Sequence, residues 1–132
     1  MSKLILVSGA SSGIGYSIAD DLLAAGYSVL GVSRNLSKKI AKLQKSYPKT
    51  FFFEMLDMSV AIDELPSWIL TQSKVLGRFS GFVHSAGVQQ ILPLQFNSHQ
   101  KMLDVFNLNV FGGLAVAQGI SDKRVMAKEG GS

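Results

Sequence analysis

Cysteine is absent from the 132 residues, so neither a disulfide nor a thiolate nucleophile belongs to this chain. That lack is compatible with a reducing compartment, and a cytoplasmic location is the expectation. Histidine is scarce as well: His84 and His99 are too few to build a zinc site, and no metal is expected. Long apolar runs are missing, because glycine, serine or a charge interrupts each one, and no membrane association is expected. No leader is read at the start, since Lys3 passes directly into a short apolar run. Repeats, linkers and low-complexity stretches are also lacking. What remains is 47% hydrophobic, ordinary for a globular core and too apolar for disorder. Residues 1–132 therefore read as one domain or part of one.

Charge of negative sign is in short supply, with 9 acidic against 13 basic residues and a net charge of +4. Most of the excess lies at Arg34, Lys38, Lys39, Lys42, Lys45 and Lys49. Leu36, Ile40 and Leu43 give the same stretch an apolar side, so its lysines read as the solvated face of an amphipathic helix. No aromatic platform accompanies them, and no nucleic-acid partner is expected. They can still raise the local potential for an anionic cofactor.

The stretch that organises the chain is residues 4–15, Leu-Ile-Leu-Val-Ser-Gly-Ala-Ser-Ser-Gly-Ile-Gly. Its apolar run reads as a strand buried on both faces of a parallel sheet. Gly9, Gly13 and Gly15 come next, and then Ile14, Ile18 and Leu22 recur at helical spacing. Strand, glycine turn and helix together aim unpartnered amides and a helix N-terminus at an anion, which suits a phosphate or pyrophosphate. Ser11 and Ser12 are natural caps for that helix. The spacing is G-x-x-x-G-x-G, distinct from G-x-G-x-x-G, and no Gly-Lys-Ser/Thr of a P-loop comes after it. The bland alternative is a plain glycine turn.

Along the chain, a helix is expected over 13–25 with Gly26 as its stop, and a strand over 28–33. A basic helix over 36–46 ends at Tyr47-Pro48, and a strand over 51–56 ends at Asp57. Ile62, Leu65, Ile69 and Leu76 trace a helix that tolerates Pro66 only near its first turn. A fourth strand covers 81–84. A last helix is expected from Asn97 or Ser98, with Asn97 and Gln100 at capping-box spacing, to about 128, and Gly130-Gly131 as its exit. Strands alternating with helices predict an α/β fold, a doubly wound parallel sheet.

Ser-Gly-Ala-Ser-Ser-Gly-Ile-Gly, Arg34, Asp57, Ser85-Ala86-Gly87 and Asn-Val-Phe-Gly from Asn109 occur in an order and spacing that resembles the short-chain dehydrogenase/reductase family. The resemblance covers nearly the whole chain and implies a Rossmann-like fold with its four strands, numbered along the chain, in the order 3-2-1-4. It implies that Gly9, Ser11, Ser12, Gly13, Ile14 and Gly15 cradle the dinucleotide phosphates. Ser33 and Arg34 stand about twenty residues beyond, where such a fold selects its cofactor. An acidic residue there would bind the ribose 2′-OH, whereas a guanidinium suits a 2′-phosphate, so NADP(H) is favoured over NAD(H).

Asp57, with Met58 beside it, would lie by the adenine, although Asp57 could equally cap a turn before Ser59. His84-Ser85-Ala86-Gly87 keeps only the second half of the family's Asn-Asn-Ala-Gly. Ala86 and Gly87 would let backbone approach the cofactor, while His84 reads as a structural histidine and not a base. Met102, Phe106, Gly113, Ala117 and Ile120 fall at offsets that place them on one face of the last helix together with Asn109. A buried amide needs partners. In the family an asparagine in this context is the catalytic-set member that holds a proton-relay water; a core asparagine bonded to backbone is the alternative.

The family's serine and Tyr-x-x-x-Lys are not found here: Tyr16, Tyr27 and Tyr47 are followed at the fourth place by Asp20, Gly31 and Phe51. The expectation is therefore the cofactor half of a reductase acting on a small carbonyl or alcohol, truncated before the fifth strand and inactive alone. A non-catalytic NADP(H)-sensing module and a structural fragment completed by a partner chain stay open. The resemblance also implies a homo-oligomer through the last helix, where Val105, Phe111 and Leu114 add apolar groups. The edge at 81–84 is expected to expose unpaired backbone groups.

Overall fold

The computed structural model describes residues 2–132 as strands alternating with helices. β1 is Leu4–Ser8, buried except at Ile5, as its unbroken apolar run requires. α1 spans Gly13–Ala24 and is stopped by Gly26 at φ 93°. β2 is Ser28–Ser33, α2 is Lys38–Ser46 and β3 is Phe51–Met55. A 3-10 turn at Ile62–Glu64 leads into α3, Leu65–Leu76, with Pro66 in the first turn where its missing amide costs nothing. β4 is Phe79–His84.

The strands form one parallel sheet in the order β3-β2-β1-β4. This is the doubly wound, Rossmann-like arrangement expected of alternating elements. Val7, Ala19, Leu23, Val29, Ile40 and Leu43 fill the layer between the sheet and α1 and α2. Leu6, Leu30, Leu65, Ile69, Phe79 and Val116 fill the opposite layer. On α2 only Ile40 and Leu43 are buried, and every lysine of the basic stretch faces solvent.

Beyond β4 the chain departs from expectation in four ways. Of the two candidate caps Ser98 is the one that starts α4 (His99–Phe106), its hydroxyl accepting from the Lys101 amide at 3.2 Å, so the departure lies in the capping box. Gln100 does not close a capping box, because its side-chain amide donates to Asp104 at 2.8 Å. The helix is also not uniform: a π-helical turn, Asn107–Gly112, separates α4 from α5, Gly113–Ile120. A π-turn takes up an extra residue and rotates the helical face before it relative to the face after it. Met102 and Phe106 therefore stay outside, and Ala117 is also exposed, while Leu108, Gly112, Val116 and Ile120 face inward. His99–Ile120, whose most apolar stretch has mean hydropathy 1.2, is long and apolar enough to cross a membrane by length and composition, contrary to the reading of short interrupted runs. Its inward stripe packs on α3 and the sheet as a core helix does.

The third departure is the helix end, which comes at Ile120 and not near 128. Asp122 accepts from the Arg124 amide at 2.8 Å, a local bond that competes with helix continuation. Arg78 donates to the Met126 carbonyl at 2.8 Å and also to the Lys123 carbonyl, which holds the reversed chain. The fourth is a consequence of that reversal. Phe79 N–H donates to the Val125 carbonyl at 2.9 Å, and Ala127 N–H returns a bond to the Phe79 carbonyl at 2.8 Å. Ser132 N–H donates to Ser80 at 3.1 Å and Phe82 N–H to Ser132 at 2.9 Å. Residues 125–132 thus line the outer side of β4, so the expected bare edge is partly paired.

Candidate functional site

A cleft of about 540 Å³ opens at the carboxyl ends of the strands, where connections diverge to opposite faces of the sheet. Gly9, Ser11, Ser12, Gly13 and Ile14 form one wall. Gly9 adopts φ 68°, and a Cβ there would lie 2.8 Å from the Ala86 nitrogen. A side chain at Gly15 would collide with the Gly9 carbonyl, so α1 begins pressed against the loop; Gly15 supports the wall without lining it. Ser12 occupies the N-cap position with extended backbone, but its hydroxyl makes no capping bond, contrary to expectation. Among the described residues no side chain caps the first amides of α1, which carry the positive end of the helix dipole. That is the chemistry an anionic pyrophosphate needs.

Ser33, Arg34 and Asn35 form the second wall, at the end of β2. The Ser33 hydroxyl donates to the Asn35 carbonyl at 2.6 Å, so it shapes the turn. Arg34 is exposed and has no hydrogen-bond or ion-pair partner among the described residues. Ser37 caps α2 by accepting from Ile40 N–H at 3.3 Å, and it donates to the Ser11 carbonyl at 3.0 Å. Lys39 sits over the Tyr16 ring, 5.0 Å from its centroid.

Leu56 and the buried Met58 form the third wall, but Asp57 between them does not reach it. One Asp57 carboxylate oxygen accepts from Ser59 N–H at 2.9 Å and from the Ser59 hydroxyl at 2.6 Å. The turn-cap reading of Asp57 thus accounts for that oxygen, because a carboxylate two residues before an amide closes an Asx turn.

Ser85, Ala86 and Gly87 complete the cleft, with Leu108 behind them. Their backbone hangs on Ser8: the amides of Ser85 and Ala86 donate to its hydroxyl oxygen at 3.0 and 3.1 Å. Asn109 does not line the cleft; its side chain grips Val88 from both ends, accepting from Val88 N–H at 2.8 Å and donating to the Val88 carbonyl at 2.9 Å. The amide that sequence reasoning found in need of partners has them. His84 bridges the Ser8 hydroxyl at 2.8 Å and the Asn109 carbonyl at 3.1 Å, as a structural histidine does.

Sequence reasoning overlooked Ser8, Ser37, Leu56 and Leu108. Ser8 had a readable signal, a hydroxyl ending an otherwise apolar strand beside a glycine. Leu108 had none, since its inward placement depends on the π-turn.

The chain is 27% identical over 135 residues to the vibriobactin-specific 2,3-dihydro-2,3-dihydroxybenzoate dehydrogenase of Vibrio cholerae serotype O1, a match covering 98% of this chain and 50% of that enzyme. A short-chain dehydrogenase from Streptomyces avermitilis superposes with a TM-score of 0.82 at 28% identity, over 90% of this chain and 43% of that one. An alcohol dehydrogenase from the archaeon Thermococcus sibiricus, solved with 5-hydroxy-NADP, shares the fold at a TM-score of 0.78 and 23% identity, over 91% of this chain and 52% of that one. The chain spans about half the length of the curated relatives it matches. The sequence pattern of the short chain dehydrogenase family matches residues 3–132, and this chain belongs to that family of oxidoreductases.

Proposed function

We propose that this chain is the NADP(H)-binding portion of a short chain dehydrogenase that interconverts a small carbonyl and its alcohol. The observation that carries the reading is Arg34: an unpartnered guanidinium on the cleft wall across from the first amides of α1. Amides and helix dipole suit the pyrophosphate, and the guanidinium suits a 2′-phosphate, which NAD(H) lacks. The Thermococcus enzyme, solved with an NADP derivative, supports the choice by analogy of fold.

Leu56 and Met58 offer an apolar wall for an adenine, and Ser85, Ala86 and Gly87 let backbone approach the nicotinamide half. A bound nicotinamide dinucleotide supplies reversible hydride transfer; the carbonyl oxygen must take its proton from a donor within hydrogen-bond reach. The 132 residues contain no Tyr-x-x-x-Lys to act as that donor. Cofactor binding without turnover is therefore expected of this chain alone. Titrating NADPH and NADH against its fluorescence tests the reading, with NADPH expected to bind more tightly. Equal affinity would remove the NADP(H) assignment. Reduction of diketones by the purified chain would overturn the assignment of its proton donor to residues outside it.

A second proposal concerns assembly. Met102, Phe106, Val110 and Leu114 recur every fourth residue on the outer side of α4, the π-turn and α5, with Phe111 beside them. An exposed apolar stripe of this length suits a second copy of the same helix.

A further inference from the structure

We infer that His84 is a positioning residue: in its neutral Nε2–H form it sets the direction of the Asn109 carbonyl and locks it to the end of β1. The hydrogen-bond assignment stands on this geometry alone, while its consequence for NADPH rests on the function proposed above.

Ser8 is fully buried. A hydroxyl oxygen has two lone pairs and one hydrogen. Both lone pairs are taken by the amides of Ser85 and Ala86, at 3.0 and 3.1 Å. The hydrogen can go to His84 Nδ1 at 2.8 Å or to the Val83 carbonyl at 3.5 Å, and the shorter contact is the stronger bond. Nδ1 is then an acceptor, and the hydrogen of a neutral imidazole lies on Nε2. Nε2 faces the Asn109 carbonyl at 3.1 Å, an atom that can only accept. Both ends of the ring demand the same tautomer. The alternative would set two acceptors against each other at Nε2 and leave the Ser8 hydrogen only the long contact to Val83.

Packing holds the ring as well. A Cβ on Gly113, the first residue of α5, would fall 2.6 Å from His84 Cδ2 and 2.7 Å from Nε2. The helix therefore begins against the imidazole edge. Asn109 is held at three atoms: two side-chain atoms on Val88 and its carbonyl on His84. The Ser85–Gly87 wall of the cleft lies between these holds. A carbonyl keeps a second lone pair, so the Asn109 oxygen can also take a water while His84 fixes its direction.

Long-range imidazole nitrogen–proton NMR on the 132-residue chain carrying His99→Gln reads the tautomer directly, since His84 is then the only histidine. A bare Nδ1 with a protonated Nε2 is expected; a proton on Nδ1, or averaging between tautomers, would overturn the inference. Two variants then separate donor from bulk. His84→Gln can place an amide where Nε2 lies, and His84→Phe keeps a ring without a donor. Val88 amide exchange is expected to change less than about twofold in the Gln variant. It should accelerate roughly fivefold in the Phe variant, the scale of one lost hydrogen bond. Equal acceleration in both would sink the inference, as would none in either. Gly113→Ala, which pushes the ring without altering it, should also accelerate exchange at Val88. NADPH affinity is expected to follow the same ranking. If the wild-type chain fails to bind NADPH, the proposed function falls, while tautomer and exchange still decide the role of His84.

Discussion

The Ser37 hydroxyl donates to the Ser11 carbonyl across 3.0 Å while accepting from Ile40 N–H, so one side chain joins the cap of α2 to the glycine loop. Ser37→Ala should remove both bonds. A lost N-cap costs about 1 kcal/mol, readable as a lower midpoint in urea unfolding. NADPH affinity should fall a few-fold as Ser11 loosens. An unchanged midpoint would mean that the cap contributes nothing.

Arg34→Asp should separate the two cofactors. Replacing attraction by repulsion at a 2′-phosphate is expected to weaken NADPH by at least about tenfold and leave NADH nearly unchanged. Parallel fluorescence titrations of wild type and variant would decide. Equal losses would take Arg34 out of the site.

Gly9→Ala tests the close approach between the glycine loop and the wall after β4. The added Cβ would lie 2.8 Å from the Ala86 nitrogen at a φ of 68°. A loss of about 2 kcal/mol or more in stability is expected, together with loss of NADPH binding. Wild-type stability with intact binding would contradict the geometry.

The C-terminal turn should respond to acid. Hydrogen bonds from the Arg124 side chain, and then from its backbone N–H, hold the Asp122 carboxyl down to about 2 from its usual 3.8. A depressed native value means that the ionised group supports the turn fully above the usual value. That support is then lost as pH falls toward 2. The carboxyl carbon of Asp122 should titrate with a midpoint near 2 and shift upward in Arg124→Ala. A midpoint of 3.8 in wild type would show that the pair does not form in solution.

Self-association should run through the helices and not through the sheet edge, because residues 125–132 already pair with β4. Phe106 and Leu114 are 51% and 63% exposed, so Phe106→Lys with Leu114→Lys should turn a concentration-dependent oligomer into a monomer. Light scattering coupled to size exclusion reads this. A wild-type monomer across micromolar concentrations would remove the oligomer proposal.

Much of this arrangement is legible along the chain because its causes are local. The apolar run before Gly9, the helical spacing from Ile14 to Leu22 and the lysine-bordered stripe of Ile40 and Leu43 each express a period within a few residues. Their alternation implies a parallel sheet, since parallel neighbours require helical crossovers. Glycine spacing also identified the cleft wall, for backbone can approach backbone closely only where a Cβ is absent.

Folding in three dimensions decided the rest. A π-turn costs little in sequence and rotates everything across it, so the buried face of the last helix depends on packing at Leu108 and Gly112. Residues 125–132 reach β4 because Arg78, far earlier in the chain, holds their turn. Ser8 and His84 meet only when β1 and β4 pair, 76 residues apart. Local periodicity thus determined the elements and the phosphate-facing loop, whereas hydrogen-bond partners distant along the chain exist only once the sheet has brought them together.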